Sequence, residues 1–316
     1  MQYYFAPLEG ITDYLYRTIH HRHFSGVDRY YTPFLSPTSE GPALTKKDLR
    51  EILPENNQEI TLIPQLLTNN ATIFLRGAEV LKEYGYREVN LNLGCPSGTV
   101  AAKGRGSGFL DRREELERFL DEIFEKCPID ISIKTRLERK DPDGFYTLLE
   151  LYNRYPIKEL TIHPRIREDM YKHPVRMEYF RHAQKESRAP LCLSGGISTV
   201  NDIRSMEDPP EAIMLGRSLV ANPALVMQAK GIVTITKEAL RAFHDEFFEA
   251  ASIMLGTPKN TMFRMKEIWA LMAYLFDDRD KHWRDLRKAT SVTEYQGAVA
   301  RMFRDCPLRE HADVRL

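Results

Sequence analysis

The sequence has no long apolar run. Its longest, Ile268 to Phe276, covers nine residues, against the roughly 20 that a bilayer-crossing helix needs. The N-terminus has no basic segment leading into an apolar stretch, so a soluble, unsecreted protein with no membrane partner is expected. Cysteine is scarce: Cys95, Cys127, Cys192 and Cys306 lie far apart with no CxxC pair. That spacing argues against a zinc site and against a disulfide framework, and it predicts a reduced, cytoplasmic setting without a metal. Net charge is missing too. The 45 basic and 45 acidic side chains cancel, so a polyanion would have to be met by a local patch.

What is present is enough chain for a large core, 316 residues of which 42% are hydrophobic. Short apolar or β-branched runs alternate with stretches of helical periodicity over the first two thirds. Eight runs read as strands: Tyr3–Ala6, Arg29–Thr32, Leu62–Leu66, Glu88–Leu93, Ile131–Thr135, Glu159–His163, Leu191–Ser194 and Ala212–Leu215. Amphipathic helices are predicted between them, over Ala71–Tyr84, Arg113–Glu125 and Phe145–Tyr155. The alternation implies parallel pairing. An open doubly wound sheet gives the same local signals, and the count of eight favours a closed (β/α)8 TIM barrel.

The texture changes near Lys230. Strand-like runs give way to long helical patterns, predicting a barrel over 1–230 and a small helical bundle domain over 237–316. The segment Met262–Phe276 reads as bundle core. Between Thr257 and Arg304, ten Lys and Arg face six Asp and Glu, a local excess compatible with phosphate contacts and equally with a solvated helix face.

In a parallel barrel the site lies where the strands end. Gln65, Asn92, Lys134 and His163 fall at such ends, followed by Ser194-Gly195-Gly196 and Gly216-Arg217. Amide, ammonium, imidazole and bare glycine backbone converging on one rim describe a pocket for a flat, polar, phosphorylated ligand. Cys95, before Pro96 in Asn92-Leu93-Gly94-Cys95-Pro96, is aimed outward by a stiff turn. The glycine-rich Gly104-Arg105-Gly106-Ser107-Gly108 reads as a mobile loop over a substrate.

Five ordered motifs, Ala6-Pro7-Leu8-Glu9-Gly10-Ile11-Thr12-Asp13, Gly94-Cys95-Pro96, Ile133-Lys134-Thr135-Arg136, Ile162-His163-Pro164-Arg165 and Leu215-Gly216-Arg217, resemble the tRNA-dihydrouridine synthase family. The likeness runs over roughly residues 3 to 228 and continues through Arg264-Met265-Lys266. Pro96-Ser97-Gly98-Thr99-Val100 looks most like the bacterial C-type subgroup, which modifies uridine 16. The resemblance implies an FMN enzyme that uses NADPH to reduce a D-loop uridine of tRNA to 5,6-dihydrouridine, with the helical domain gripping the tRNA. It implies cofactor contacts by Pro7, Leu8, Glu9, Gln65, Lys134 and His163, with Gly195, Gly196, Gly216 and Arg217 on the phosphate. It makes Cys95 the general acid and puts Asn92, Arg136, Arg165 and Tyr171 around the base. A monomer is expected. Ser194 stands where the family commonly has Asn. The competing readings are an FMN-dependent reductase of a free pyrimidine, a synthase acting on ribosomal RNA, and a catalytically silent RNA-binding factor.

Overall fold

The computed structural model describes residues 1–232 and 234–312; the last four residues of the predicted helical domain, 313–316, lie outside the described residues. The strands are β1 Gln2–Phe5, β2 Arg29–Tyr31, β3 Leu62–Ile63, β4 Gln65–Leu66, β5 Glu88–Leu93, β6 Asp130–Arg136, β7 Leu160–His163, β8 Leu191–Ser194 and β9 Ala212–Leu215. All pair in parallel, in the order β3-β2-β1-β9-β8-β7-β6-β5-β4. The two ends of this order are one stretch of chain. The predicted third strand, Leu62–Leu66, is divided at Pro64, which has no N–H to give to a ladder. Its carbonyl still accepts the Asn90 N–H at 2.8 Å. β3 therefore pairs with β2 and β4 with β5, and the eight expected staves form a nearly closed barrel.

Strand alternation sorts the side chains. Tyr4, Ala6, Tyr31, Ile63, Cys192, Ala212 and Met214 form a small interior cluster, while Tyr3, Phe5, Tyr30 and their neighbours belong to the larger core shared with the helices. The floor of the interior is polar: Glu159 accepts from Tyr4 Oη at 2.7 Å and from Tyr31 Oη at 3.3 Å. Above it a ladder of amides crosses three strands. Gln65 donates to Asn90 at 2.7 Å, Asn90 to Ser132 at 3.0 Å, and Asn92 to Gln65 at 2.7 Å.

After the barrel come helices Lys237–Leu255, Pro258–Met272, Asp280–Lys288 and Val292–Asp305. Gly256, at φ +74°, ends the first in the left-handed conformation glycine tolerates, and Thr257 with Pro258 starts the second. Helix Lys237–Leu255 packs on the first barrel helix, Tyr14–His23, through Phe243 and Phe247, whose rings lie edge-on to Tyr16 at 5.6 and 5.4 Å. Met262, Met265, Ile268, Trp269 and Met272 are buried, as the apolar density of that stretch predicts. At their centre Tyr295 Oη accepts from Trp269 Nε1 at 3.1 Å and meets His244 Nε2 at 2.7 Å.

Candidate active site at the barrel mouth

A cavity of about 700 Å³ opens beyond the strand ends, within the range of small-molecule sites. Pro7, Leu8, Lys134, His163, Arg165, Tyr171, Gly195, Gly196, Gly216 and Arg217 all line it. Strand exits place them: Lys134 lies on β6, His163 ends β7, the glycine pair follows β8 and Gly216 follows β9.

Gly195 and Gly196 have φ of +89° and +77°, the left-handed region that a side chain would strain. Space is absent as well. A Cβ at Gly195 would sit 2.6 Å from His163 Nε2, and one at Gly196 would sit 2.6 Å from Val175 Cγ2. Bare backbone here forms a cradle beside Arg217, at the seventh and eighth staves, where barrels of this kind hold phosphate.

The electrostatics are strongly cationic. Burial pushes the Lys134 ammonium down to about 8, helped by Arg136, and no hydrogen-bond partner engages it among the described residues. Burial, then Arg136, Lys134, Arg165 and Arg217, hold the His163 ring well below its usual value, so it is a neutral imidazole. Its Nε2 meets Arg165 Nη1 at 2.9 Å. Burial, followed by Arg217, lowers Arg165 to about 10. Tyr171 lies between two guanidinium groups, with Arg217 4.2 Å and Arg136 5.2 Å from its ring centroid. An unpaired ammonium, a cationic wall and a glycine cradle fit an anionic, planar ligand.

Cys95 is half-buried at the exit of β5 and does not line this cavity. Burial raises its thiol above the ordinary range, against the opposing pull of the Ser97 N–H, Arg136 and Lys134, so the group is protonated at neutral pH. Asn92 Oδ1 accepts the Gly94 and Cys95 N–H groups at 3.1 and 2.9 Å and fixes the turn. The stretch read as a mobile loop is packed here. Gly106–Gly108 is a buried 3-10 turn, Ser107 Oγ donates to the Cys95 carbonyl at 2.8 Å, and a Cβ on Gly106 would lie 3.0 Å from that of Cys95. Close approach, rather than flexibility, is what these glycines supply.

Four expected contacts are turned elsewhere, the first being Asn92, which does not line this cavity and whose amide is taken by Gln65 and by the Gly94 and Cys95 N–H groups. Gln65 is fully buried, and its amide is taken by Asn90 and Asn92. Arg136 donates to the carbonyls of Gly94, Ile166 and Met170 at 3.0, 3.1 and 3.0 Å, tying the Cys95 turn to the Tyr171 loop. Glu9 lines a separate, smaller cavity and faces Lys47. Sequence reasoning missed Lys172 and His173, which line the main cavity; a lysine and a histidine directly after Tyr171 were the available signal.

The helical segment also sorts its cations. Lys266 caps helix Asp280–Lys288 through the Arg287 and Ala289 carbonyls, and Arg264 docks on the barrel through the Gly10 and Ile11 carbonyls and Asp13. Lys281, Arg284, Arg287 and Lys288 are exposed, at spacings that share a helix face, and make no ion pair among the described residues.

With the geometry in place, the family model described as "Dihydrouridine synthase (Dus)" matches residues 4–305. The chain belongs to the dihydrouridine synthase family. It is 26% identical to the tRNA-dihydrouridine(16) synthase of Pseudomonas putida, over 97% of this chain and 99% of that protein. It is 27% identical to the tRNA-dihydrouridine(16) synthase of Pseudomonas syringae pv. tomato, over 92% and 95%. Among solved structures it is similar to a variant of NCR from Zymomonas mobilis, with TM-score 0.50 and 12% identity over 77% of this chain and 90% of that one, a likeness of fold alone. No helix among the described residues is long and apolar enough to cross a membrane.

Proposed function

We propose that this protein reduces a uridine of tRNA to 5,6-dihydrouridine, with flavin mononucleotide in the main cavity and NADPH as reductant. The observation that carries the reading is a protonated, half-buried thiol, Cys95, at the rim of a cationic barrel mouth in a chain of the dihydrouridine synthase family. The Pseudomonas putida and Pseudomonas syringae relatives are named tRNA-dihydrouridine(16) synthase, which supports position 16.

Bound flavin would supply the hydride that saturates the uracil 5,6-bond. The residues of the chain account for the rest. Gly195, Gly196, Gly216 and Arg217 suit the phosphate, Pro7 and Leu8 form an apolar wall, and Lys134 supplies positive charge beside the ring system. His163, neutral and braced by Arg165, keeps a hydrogen-bonding role without adding a second buried charge. Cys95 gives its proton to uracil C5 and Asn92 holds its turn, while Arg165 and Tyr171 face the base. The barrel over 1–230 is then the catalytic unit. The helical segment over 237–316 grips RNA with Lys281, Arg284, Arg287 and Lys288, and the target base must leave its stack to reach the mouth. The test is purified protein with NADPH and an unmodified tRNA transcript. Yellow protein that forms dihydrouridine supports the reading; flavin-free protein, or none of the product, overturns it.

A further inference from the structure

The smaller cavity, of about 210 Å³, lies between the barrel rim and the helical segment, and its walls include Tyr14, Phe34, Leu35, Glu9, Lys47 and Arg264. Its volume exceeds the ~150 Å³ that holds a benzene ring in an apolar protein cavity. It adjoins the main site through a single turn: Pro7 and Leu8 line the first cavity, and Glu9 and Gly10 line the second. Gly10, at φ +79°, reverses the chain between them.

Its carboxylates are not equivalent. Asp13 is spent on the Tyr16 N–H and on Arg264, at 3.0 and 2.8 Å. Glu51 pairs with buried Arg17 at 2.9 Å, and Asp48 caps its own helix through Thr45. Glu9 is the least engaged of them; it is 53% exposed and makes one long ion pair, with Lys47 at 3.9 Å. The lining carries four carboxylates, Glu9, Asp13, Asp48 and Glu51, against three cations, Lys47, Arg50 and Arg264, so it offers no net positive charge to a phosphate. No three such groups converge as a metal would require among the described residues. A weakly engaged, half-exposed carboxylate in a cavity that Tyr14 and Phe34 also line suits a planar ligand with two adjacent N–H donors. Of the common nucleobases, guanine carries that pair, N1–H and the 2-amino group.

We infer that this cavity is a second nucleobase subsite, in which Glu9 reads the donor edge of an unstacked guanine near the target uridine while Tyr14 and Phe34 flank its ring. The inference rests on the tRNA-reductase reading and adds a specificity determinant to it. The test is steady-state dihydrouridine formation by the holoenzyme on tRNA transcripts in which each guanosine near the target is replaced, one at a time, by inosine, which lacks the 2-amino group. One inosine should raise KM about tenfold, the scale of a lost hydrogen bond to a charged group. Glu9→Gln should raise KM on the all-guanosine transcript by a similar factor, and the variant should show little further loss with that inosine. Phe34→Leu should raise KM in the same direction. An unchanged KM for Glu9→Gln, or fully additive effects of inosine and Gln, overturns the subsite and leaves the reductase reading standing. No dihydrouridine from the unaltered enzyme on any transcript overturns both.

Discussion

Lys134 holds a charge that folding does not favour. An ordinary lysine titrates at 10.5 and this one at about 8, a gap equivalent to about 3 kcal/mol. That figure is an upper bound, because the ammonium faces a cavity open to water. Below pH 8 both folded and unfolded chains carry the proton, and the folded chain bears the whole penalty. Between pH 8 and 10.5 the unfolded chain binds more protons, so stability rises with pH as the penalty is relieved. Lys134→Met, of similar length and uncharged, removes the penalty. In protein stripped of any bound cofactor, the variant is expected to be more stable than the parent by up to about 3 kcal/mol at pH 7, falling to about 1.4 kcal/mol at pH 9.5. Urea unfolding at the two pH values measures both numbers. The same variant should bind flavin mononucleotide more weakly. A destabilised variant, or a difference that does not change with pH, would refute the claim that Lys134 is a desolvated charge kept for an anionic ligand.

Three further outcomes are expected. Gly195→Ala places a methyl 2.6 Å from His163 Nε2 on a backbone at φ +89°, and should cost about 1–3 kcal/mol in urea unfolding together with most flavin affinity; parent-like stability would mean the cradle is looser than described. Cys95→Ala should keep flavin and tRNA binding and lose most single-turnover product formation, because only proton delivery is removed; turnover equal to the parent would acquit the thiol. Neutralising Lys281, Arg284, Arg287 and Lys288 together should weaken tRNA binding and flatten its salt dependence by roughly 0.7 to 0.9 per lost phosphate contact; an unchanged slope would place the RNA surface elsewhere.

The barrel was legible because parallel strands buried on both faces leave short apolar runs, and helices between them leave a different period. The one break, at Pro64, was also in the letters, since proline cannot donate to a ladder. Strand-end arithmetic put Lys134, His163 and Gly195 at one mouth, and there they lie. What spacing could not supply was the direction of long side chains. Arg136 ends β6, one residue past the predicted strand, and its guanidinium is used by three carbonyls from two loops whose paths no local pattern encodes. Lys266 counts as a basic-patch residue by composition, but it caps the C-terminus of a helix some twenty residues further along the chain. Glu9 follows Pro7 and Leu8 in sequence and leaves their cavity because Gly10 turns the chain.

The most direct measurement is nucleotide-resolution mapping of dihydrouridine in total tRNA and ribosomal RNA from cells with and without this gene. The account predicts loss of the modification at position 16 of tRNA, restored by the intact gene and not by one encoding Cys95→Ala. Unaltered dihydrouridine at every position of both RNAs would contradict it.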